Sequence, residues 1–271
     1  MPQNKVILVL SDALGYSVAV SGMGYLGHLL ENKLASLYKV IGELPSMSRP
    51  MYETLHTGLK ASQHGIISNQ VVRLSTQPNI FQLTTQAGKT TAAAAYYWFS
   101  ELYNHAPFDP VEDREVNNPA LFIQHGRFYT QDDMPDIDLL ATAGLLIRRY
   151  SPDYMLVHPM GMDYVGELHG ANSSQYRNHA IRQDMWLSGY ISEWMSMGYN
   201  ILVTGDHGMN EDGLHGGTTS DVREVPLYLM GKNITGLGDT REVISQLQIA
   251  PTICKLLDLP PLGTMTHLSI G

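Results

Sequence analysis

Short apolar runs alternate with longer amphipathic stretches along most of this 271-residue chain. Residues 6–10 (VILVL) form an unbroken apolar run of strand length, rich in β-branched side chains, and predict a buried strand. Residues 39–44, 154–158 (YMLVH), 200–204 (NILVT) and 225–229 (VPLYL) repeat that signal. Residues 90–97 (TTAAAAYY) suit strand or helix by propensity, and the preceding Gly88, a helix stop, favours a strand. Helical stretches are expected near 50–60, 78–87, 137–149, 174–197 and 243–257. Alternation of this kind predicts an α/β fold: a three-layer α/β/α sandwich around a mostly parallel central sheet, with ligand sites at the carboxyl ends of its strands. Residues 99–135 break the rhythm, being rich in Pro, Asp and Asn without a clear period. They read as a small lid or cap inserted into a single domain spanning 1–271.

Composition narrows the picture. Hydrophobic residues make up 44% and charged residues 16%, which supports a large core and excludes disorder. The 17 Lys plus Arg against 26 Asp plus Glu give a net charge of −9, which argues against a nucleic-acid polymer or an anionic membrane as the main partner. A single cysteine, Cys254, excludes a disulfide framework and a Cys-only metal cluster. The first apolar run is too short for a targeting segment or a membrane span, and no later stretch reaches spanning length. A soluble, cytoplasmic protein without a membrane partner is expected, with its oligomeric state left open.

The 11 histidines matter where they meet carboxylates at strand ends. Asp12 follows VILVLS, Asp163 comes shortly after YMLVH, and Asp206 and His207 follow NILVTG, with His215 eight residues beyond His207. One such Asp alone reads as a loop residue or helix cap; several together are placed to converge on a metal. Ser48 precedes Arg49 and Pro50 at the start of a helical stretch, so it suits an N-cap. The same geometry puts a hydroxyl in a positive field beside free backbone N–H groups, which suits a nucleophile attacking phosphorus.

Taken in order, LVLSDALG, PSMSRP, TGLKASQHGIISN, DYVGELHGANSS, TGDHGM, a final HGG and IAPTICKLLDLP make the chain resemble the alkaline phosphatase superfamily. The pattern is most similar to the type I phosphodiesterase/nucleotide pyrophosphatase branch, and it covers residues 5–262. The resemblance implies two divalent metal ions, zinc with manganese as the alternative. It places Asp12, Ser48, Asp206 and His207 around one ion, and Asp163, His215 and a residue near 167–169 around the other. Asn69 matches the side chain that holds a phosphate oxygen, although a plain turn residue explains it as well. In this chain Glu167 stands where the family pattern has histidine, and His169 lies two residues further on. Register favours Glu167 as the ligand and keeps His169 as the rival.

The expected activity is metal-dependent hydrolysis of a phosphoric ester through a phosphoseryl intermediate on Ser48, on a small-molecule phosphate ester or nucleotide. A phosphodiesterase/nucleotide pyrophosphatase is preferred; a phosphomonoesterase and a non-catalytic metal- or phosphate-binding homologue are the alternatives. Residues 22–27 fit G-x-G-x-x-G but lie too far past the first strand for a dinucleotide fingerprint.

Overall fold

The computed structural model describes residues 4–231 and 234–270. Among them, nine strands form one sheet: β1 (Lys5–Ser11), β2 (Ala35–Ile41), β3 (Thr91–Tyr96), β4 (Glu115–Asn117), β5 (His125–Tyr129), β6 (Tyr154–Val157), β7 (Tyr199–Gly205), β8 (Glu224–Gly231) and β9 (Gly238–Ser245). The spatial order is β4-β5-β3-β6-β1-β7-β8-β2-β9. Strands β5, β3, β6, β1 and β7 run parallel, β8 is antiparallel to both its neighbours, and β4 is antiparallel to β5. The helices are α1 (Tyr16–Gly22), α2 (Gly24–Glu31), α3 (Ser48–Thr57), α4 (Ala61–His64), α5 (Ile80–Gln86), α6 (Trp98–Tyr103), α7 (Asp136–Tyr150), α8 (Gly161–His169), α9 (Ser174–Ser196), α10 (Ser220–Arg223) and α11 (Ile249–Leu256).

Strand β1 shows why the sheet carries helices on both faces. Every side chain from Val6 to Leu10 is fully buried, and alternate residues enter different cores. Ile7 and Val9 pack with residues of α1, α2, α7 and α9, including Leu139, Leu187 and Trp194. Val6, Leu8 and Leu10 pack with residues of α3, α5, α6 and α11, including Leu55, Phe81 and Ile253. Each such burial contributes about 1.5–3 kcal/mol, and a one-residue slip would exchange the two sets, so the register is strongly specified. The expected three-layer α/β/α sandwich with a mostly parallel sheet is the observed architecture.

Three expectations change. The strand expected at 39–44 lies earlier, at Ala35–Ile41, because the chain leaves the sheet at Gly42, whose N–H turns to the Arg223 carbonyl (2.7 Å). The helix expected at 243–257 begins only at Ile249, and residues 243–245 complete β9. Within 99–135, read as a lid or cap, β4 and β5 extend the central sheet, with β5 in register against β3. The Gly-rich stretch 22–27 is the junction between α1 and α2 and continues into α2, remote in sequence from the end of β1.

Candidate metal centre

Strands β6, β1 and β7 are neighbours and parallel, so the residues after their last positions emerge side by side: His158, Asp12 and Asp206. All three are fully buried. One oxygen of each aspartate is anchored. Asp12 Oδ2 accepts from the Tyr52 hydroxyl and lies 3.2 Å from His158 Nε2. Asp206 Oδ1 accepts from the Ala13 N–H at 3.0 Å. The other oxygens, Asp12 Oδ1 and Asp206 Oδ2, are buried without a hydrogen-bond partner among the described residues, as is Asp163 Oδ1.

His207 turns an unprotonated ring nitrogen toward these bare oxygens. A carbonyl only accepts, so the contact of Nδ1 with the Gly208 carbonyl (2.8 Å) puts the ring proton on Nδ1. Nε2 is left as an acceptor, 3.4 Å from both Asp12 Oδ1 and Asp206 Oδ2. Gly208 lets the Asp221 backbone pack against this loop: a Cβ there would lie 2.0 Å from the Asp221 carbonyl oxygen. The Ser48 hydroxyl donates to the same Nε2 at 3.2 Å.

A second group lies beside the first. Asp163 is on the first turn of α8, and Glu167 follows one helical turn later on the same face. His215 donates from Nδ1 to the Ser46 carbonyl (3.2 Å), which aims Nε2 at Glu167 Oε1 (3.5 Å) and Asp163 Oδ1 (3.8 Å). The His207 and His215 rings stack at 4.1 Å. Ligand atoms of Asp12, Asp206 and His207 lie within 4.8 Å of one another, and so do those of Asp163, His207 and His215. His207 therefore belongs to both groups.

The electrostatics call for positive charge here. Burial, then the Asp206 carboxylate, pushes Asp12 well up from the usual carboxylate range; burial also raises Asp163 and Asp206. Burial and His215 push His207 well down. Burial alone would lower His215 too, but its hydrogen bond to Glu167 and the charges of Asp163 and Asp12 outweigh that and hold it at about 9. The bond to His215 keeps Glu167 below its ordinary value. Orphaned carboxylate oxygens facing an imidazole lone pair repel one another unless a cation or protons sit between them, so the donor set fits divalent cations.

Ser48, 5% exposed, is the first residue of α3, not its cap: Met47 holds the cap position and no side-chain cap bond forms. Its hydroxyl is free to turn to His207. The helix is pinned by Arg49, whose buried guanidinium pairs with Glu101 (2.7 Å) and lies 4.4 Å from the centre of the Trp98 ring. The Arg49 N–H donates to Asn69 Oδ1 at 3.0 Å. With Pro50 lacking an N–H, the Ser48 N–H is the amide of that first turn left for a ligand, together with Asn69 Nδ2.

Of the residues singled out in the sequence, the structure brings together Asp12, Ser48, Asn69, Asp163, Glu167, Asp206, His207 and His215. His169 is separate. It is exposed at the end of α8, six residues and so about 240° of helix rotation from Asp163, and makes no ion pair with the group. Sequence reasoning passes over Tyr52, Tyr129 and Gln246 and marks His158 only as the end of a predicted strand. Gln246 bridges the site by donating to the Asp206 carbonyl (2.7 Å) and accepting from the Glu43 N–H (2.9 Å). Tyr52 is within reach of sequence reasoning, since it lies one helical turn after Ser48.

Known proteins share this fold. The family model described as type I phosphodiesterase/nucleotide pyrophosphatase matches residues 6–212. The human GPI ethanolamine phosphate transferase 2 catalytic subunit is 24% identical over 275 residues, covering 95% of this chain and 26% of its own length. The mouse GPI ethanolamine phosphate transferase 3 catalytic subunit is 25% identical, covering 96% of this chain and 25% of its own. The chain thus spans about a quarter of the length of these relatives. Among solved structures, murine ectonucleotide pyrophosphatase/phosphodiesterase 5, as an inactive variant with AMP, superposes with a TM-score of 0.76 at 14% identity over 96% of both chains. The C-terminal periplasmic domain of EcEptC from Escherichia coli superposes at 0.69 with 12% identity, over 96% of this chain and 84% of that one. The fold is therefore that of the alkaline phosphatase superfamily. The expected cytoplasmic location is overturned: the relatives are GPI-directed transferases and the structural neighbours include an ectoenzyme and a periplasmic domain. Net charge and the brevity of one apolar run do not report compartment. Among the described residues no helix is long and apolar enough to cross a membrane.

Proposed function

The chain belongs to the type I phosphodiesterase/nucleotide pyrophosphatase family, and from that premise we propose that it cleaves phosphoric diesters through a covalent phosphoseryl intermediate on Ser48. The observation that carries the reading is the Ser48 hydroxyl, 3.2 Å from His207 Nε2, at the edge of a cluster of buried, unpartnered carboxylate oxygens.

Asp12, Ser48, Asp206 and His207 would hold one divalent ion, and Asp163, Glu167 and His215 the other, with zinc the first choice and manganese the second. When bound, the ions supply positive charge that favours the Ser48 alkoxide and offsets the charge of the phosphoryl oxygens. Ser48 gives its hydroxyl proton to solvent, and its Oγ attacks phosphorus in line, forming the Oγ–P bond as the bond to the first alcohol breaks; that alkoxide leaves and takes a proton from solvent. Asn69 Nδ2 and the Ser48 N–H donate to the non-bridging oxygens. Asn69 is held for this task because its Oδ1 is tied to the Arg49 amide. A neutral carboxamide leaves room for the second ester group, which favours diesters over monoesters. Water then attacks phosphorus and releases Ser48.

A second reading keeps the first step and replaces water with an alcohol, giving transfer rather than hydrolysis. It is favoured by the names of the curated relatives, which are transferases of ethanolamine phosphate. Both readings need two in-line displacements, so both predict net retention at phosphorus in a diester made chiral by isotopic and sulfur substitution. Net inversion would remove the covalent step. Adding ethanolamine or glycerol to the assay separates them: diversion of the phosphoryl group to the alcohol supports transfer, and an unchanged yield of the hydrolysis product supports hydrolysis.

A further inference from the structure

We propose that Tyr52 and His158 are positioning residues that lock the Asp12 carboxylate so that Oδ1 alone faces the ion site. The proposal rests on the metal-dependent reading above and adds residues to it. Both contacts end on the same oxygen: the Tyr52 hydroxyl donates to Asp12 Oδ2, and His158 Nε2 lies 3.2 Å from it. Asp12 Oδ1 has no partner among the described residues and lies 3.4 Å from His207 Nε2. A carboxylate held at one oxygen by two donors cannot rotate to offer both oxygens, so it binds through one.

The clamp is built from three elements. Tyr52 stands on α3 one turn after Ser48, so the same helix that presents the nucleophile fixes the carboxylate. His158 follows the end of β6. Tyr129, the last residue of β5, donates to the His158 carbonyl (2.7 Å) and lies 3.2 Å from His158 Nδ1. With Asp12 ionised, His158 must carry its proton on Nε2; the single Tyr129 hydroxyl proton goes to the nearer His158 carbonyl, which fixes the backbone that carries the ring. The Tyr52 and Phe99 rings each meet the His158 ring edge-on at 4.9 Å, so the imidazole has no room to turn. Tyr52 and His158 are completely buried, which makes their action indirect.

The test compares wild type with Tyr52→Phe, His158→Gln and His158→Ala. Zn²⁺ and Mn²⁺ affinities are measured by competition with a chromogenic chelator, kcat and KM with a nitrophenyl diester, and unfolding midpoints in excess chelator. Tyr52→Phe is expected to weaken one of two bound ions about 10- to 100-fold while sparing the other, lowering kcat with little change in KM. The chelated variant should still unfold in one cooperative transition, with its midpoint lowered only by the loss of one buried hydrogen bond. His158→Gln, which retains an N–H donor, should recover part of what His158→Ala loses. If Tyr52→Phe does not fold, the His158 pair is decisive by itself. Wild-type ion affinities and kcat in Tyr52→Phe and His158→Ala would overturn the clamp. A wild-type protein that binds neither ion would instead overturn the metal-dependent reading, and the clamp with it.

Discussion

Asp12, Asp206 and His207 stand at the ends of β1 and β7, inside a sheet paired on both sides, and none is more than 1% exposed. Asp163, Glu167 and His215 stand on the nine-residue α8 and on the loop after β7, and the Glu167 side chain is 53% exposed. The first group is held by the sheet and by further hydrogen bonds from Tyr52, His158 and the Ala13 amide. The second depends on one short helix and a single bond from His215 to the Ser46 carbonyl. Rigid support and burial thus concentrate where Ser48, the proposed nucleophile, sits, and the adaptable half of the site lies nearer solvent.

The largest expected effect falls on the rigid half. Ser48→Ala should lower turnover by a factor on the order of 10³ or more. Ion content should fall little, because three of that group's four side chains remain. Near wild-type turnover in this variant would remove the nucleophile assignment.

Acid gives a smaller effect on the same half. His56 lies on the buried face of α3, donating from Nδ1 to the Tyr52 carbonyl (2.8 Å), with Nε2 3.0 Å from the Tyr154 hydroxyl. Burial pushes it down to about 4. A depressed histidine favours the folded state above its unfolded value of about 6.5, and that contribution is lost as pH falls through about 4. The loss is about 1.4 kcal/mol per pH unit, or about 2 kcal/mol between pH 6.5 and 5. Glu53 runs the other way: burial raises it to about 7, so its contribution is present below 4.5 and lost as pH rises. Comparing wild type with His56→Gln by urea unfolding in chelator isolates the histidine. The stability gap should be about 2 kcal/mol smaller at pH 5 than at pH 7, and an unchanged gap would contradict the assignment.

On the adaptable half, Glu167→Ala should weaken one bound ion about 10- to 100-fold, and His169→Ala should leave both affinities unchanged. The reverse result would mean that α8 unwinds at its end when the ion binds.

The contrast also explains what can be read from the sequence. Central strands buried on both faces are continuous apolar runs, so β1, β6 and β7 stand out, and the hydrophobic pattern alone marks Asp12 and Asp206 at their ends. The sheet edges carry no such signal. Strand β9 (GDTREVIS) is largely exposed and charged, and β4 (EVN) is three residues long; both look like loop because edge strands avoid apolar runs. Helices α1, α2 and α8 contain glycines that pattern reasoning reads as breaks. In α8, Gly166 packs where a Cβ would meet the Met209 side chain at 2.9 Å, so tertiary packing overrides propensity. That is why the end of α8 is the part of the site least legible in the sequence: without helix phase, Glu167 and His169, four and six residues past Asp163, both stay in play, and only register favours Glu167. Tyr52 escapes notice for a related reason, since a tyrosine on a helix buried on every side reads as core until its hydroxyl has a partner.

The central claim is that the cluster of orphaned, buried acceptors exists to hold divalent cations. Inductively coupled plasma mass spectrometry of folded protein, purified without chelator and equilibrated with micromolar zinc and manganese, tests it directly. Two divalent ions per chain, falling to one in Glu167→Ala, is the predicted result; a folded wild-type protein that retains none would contradict it.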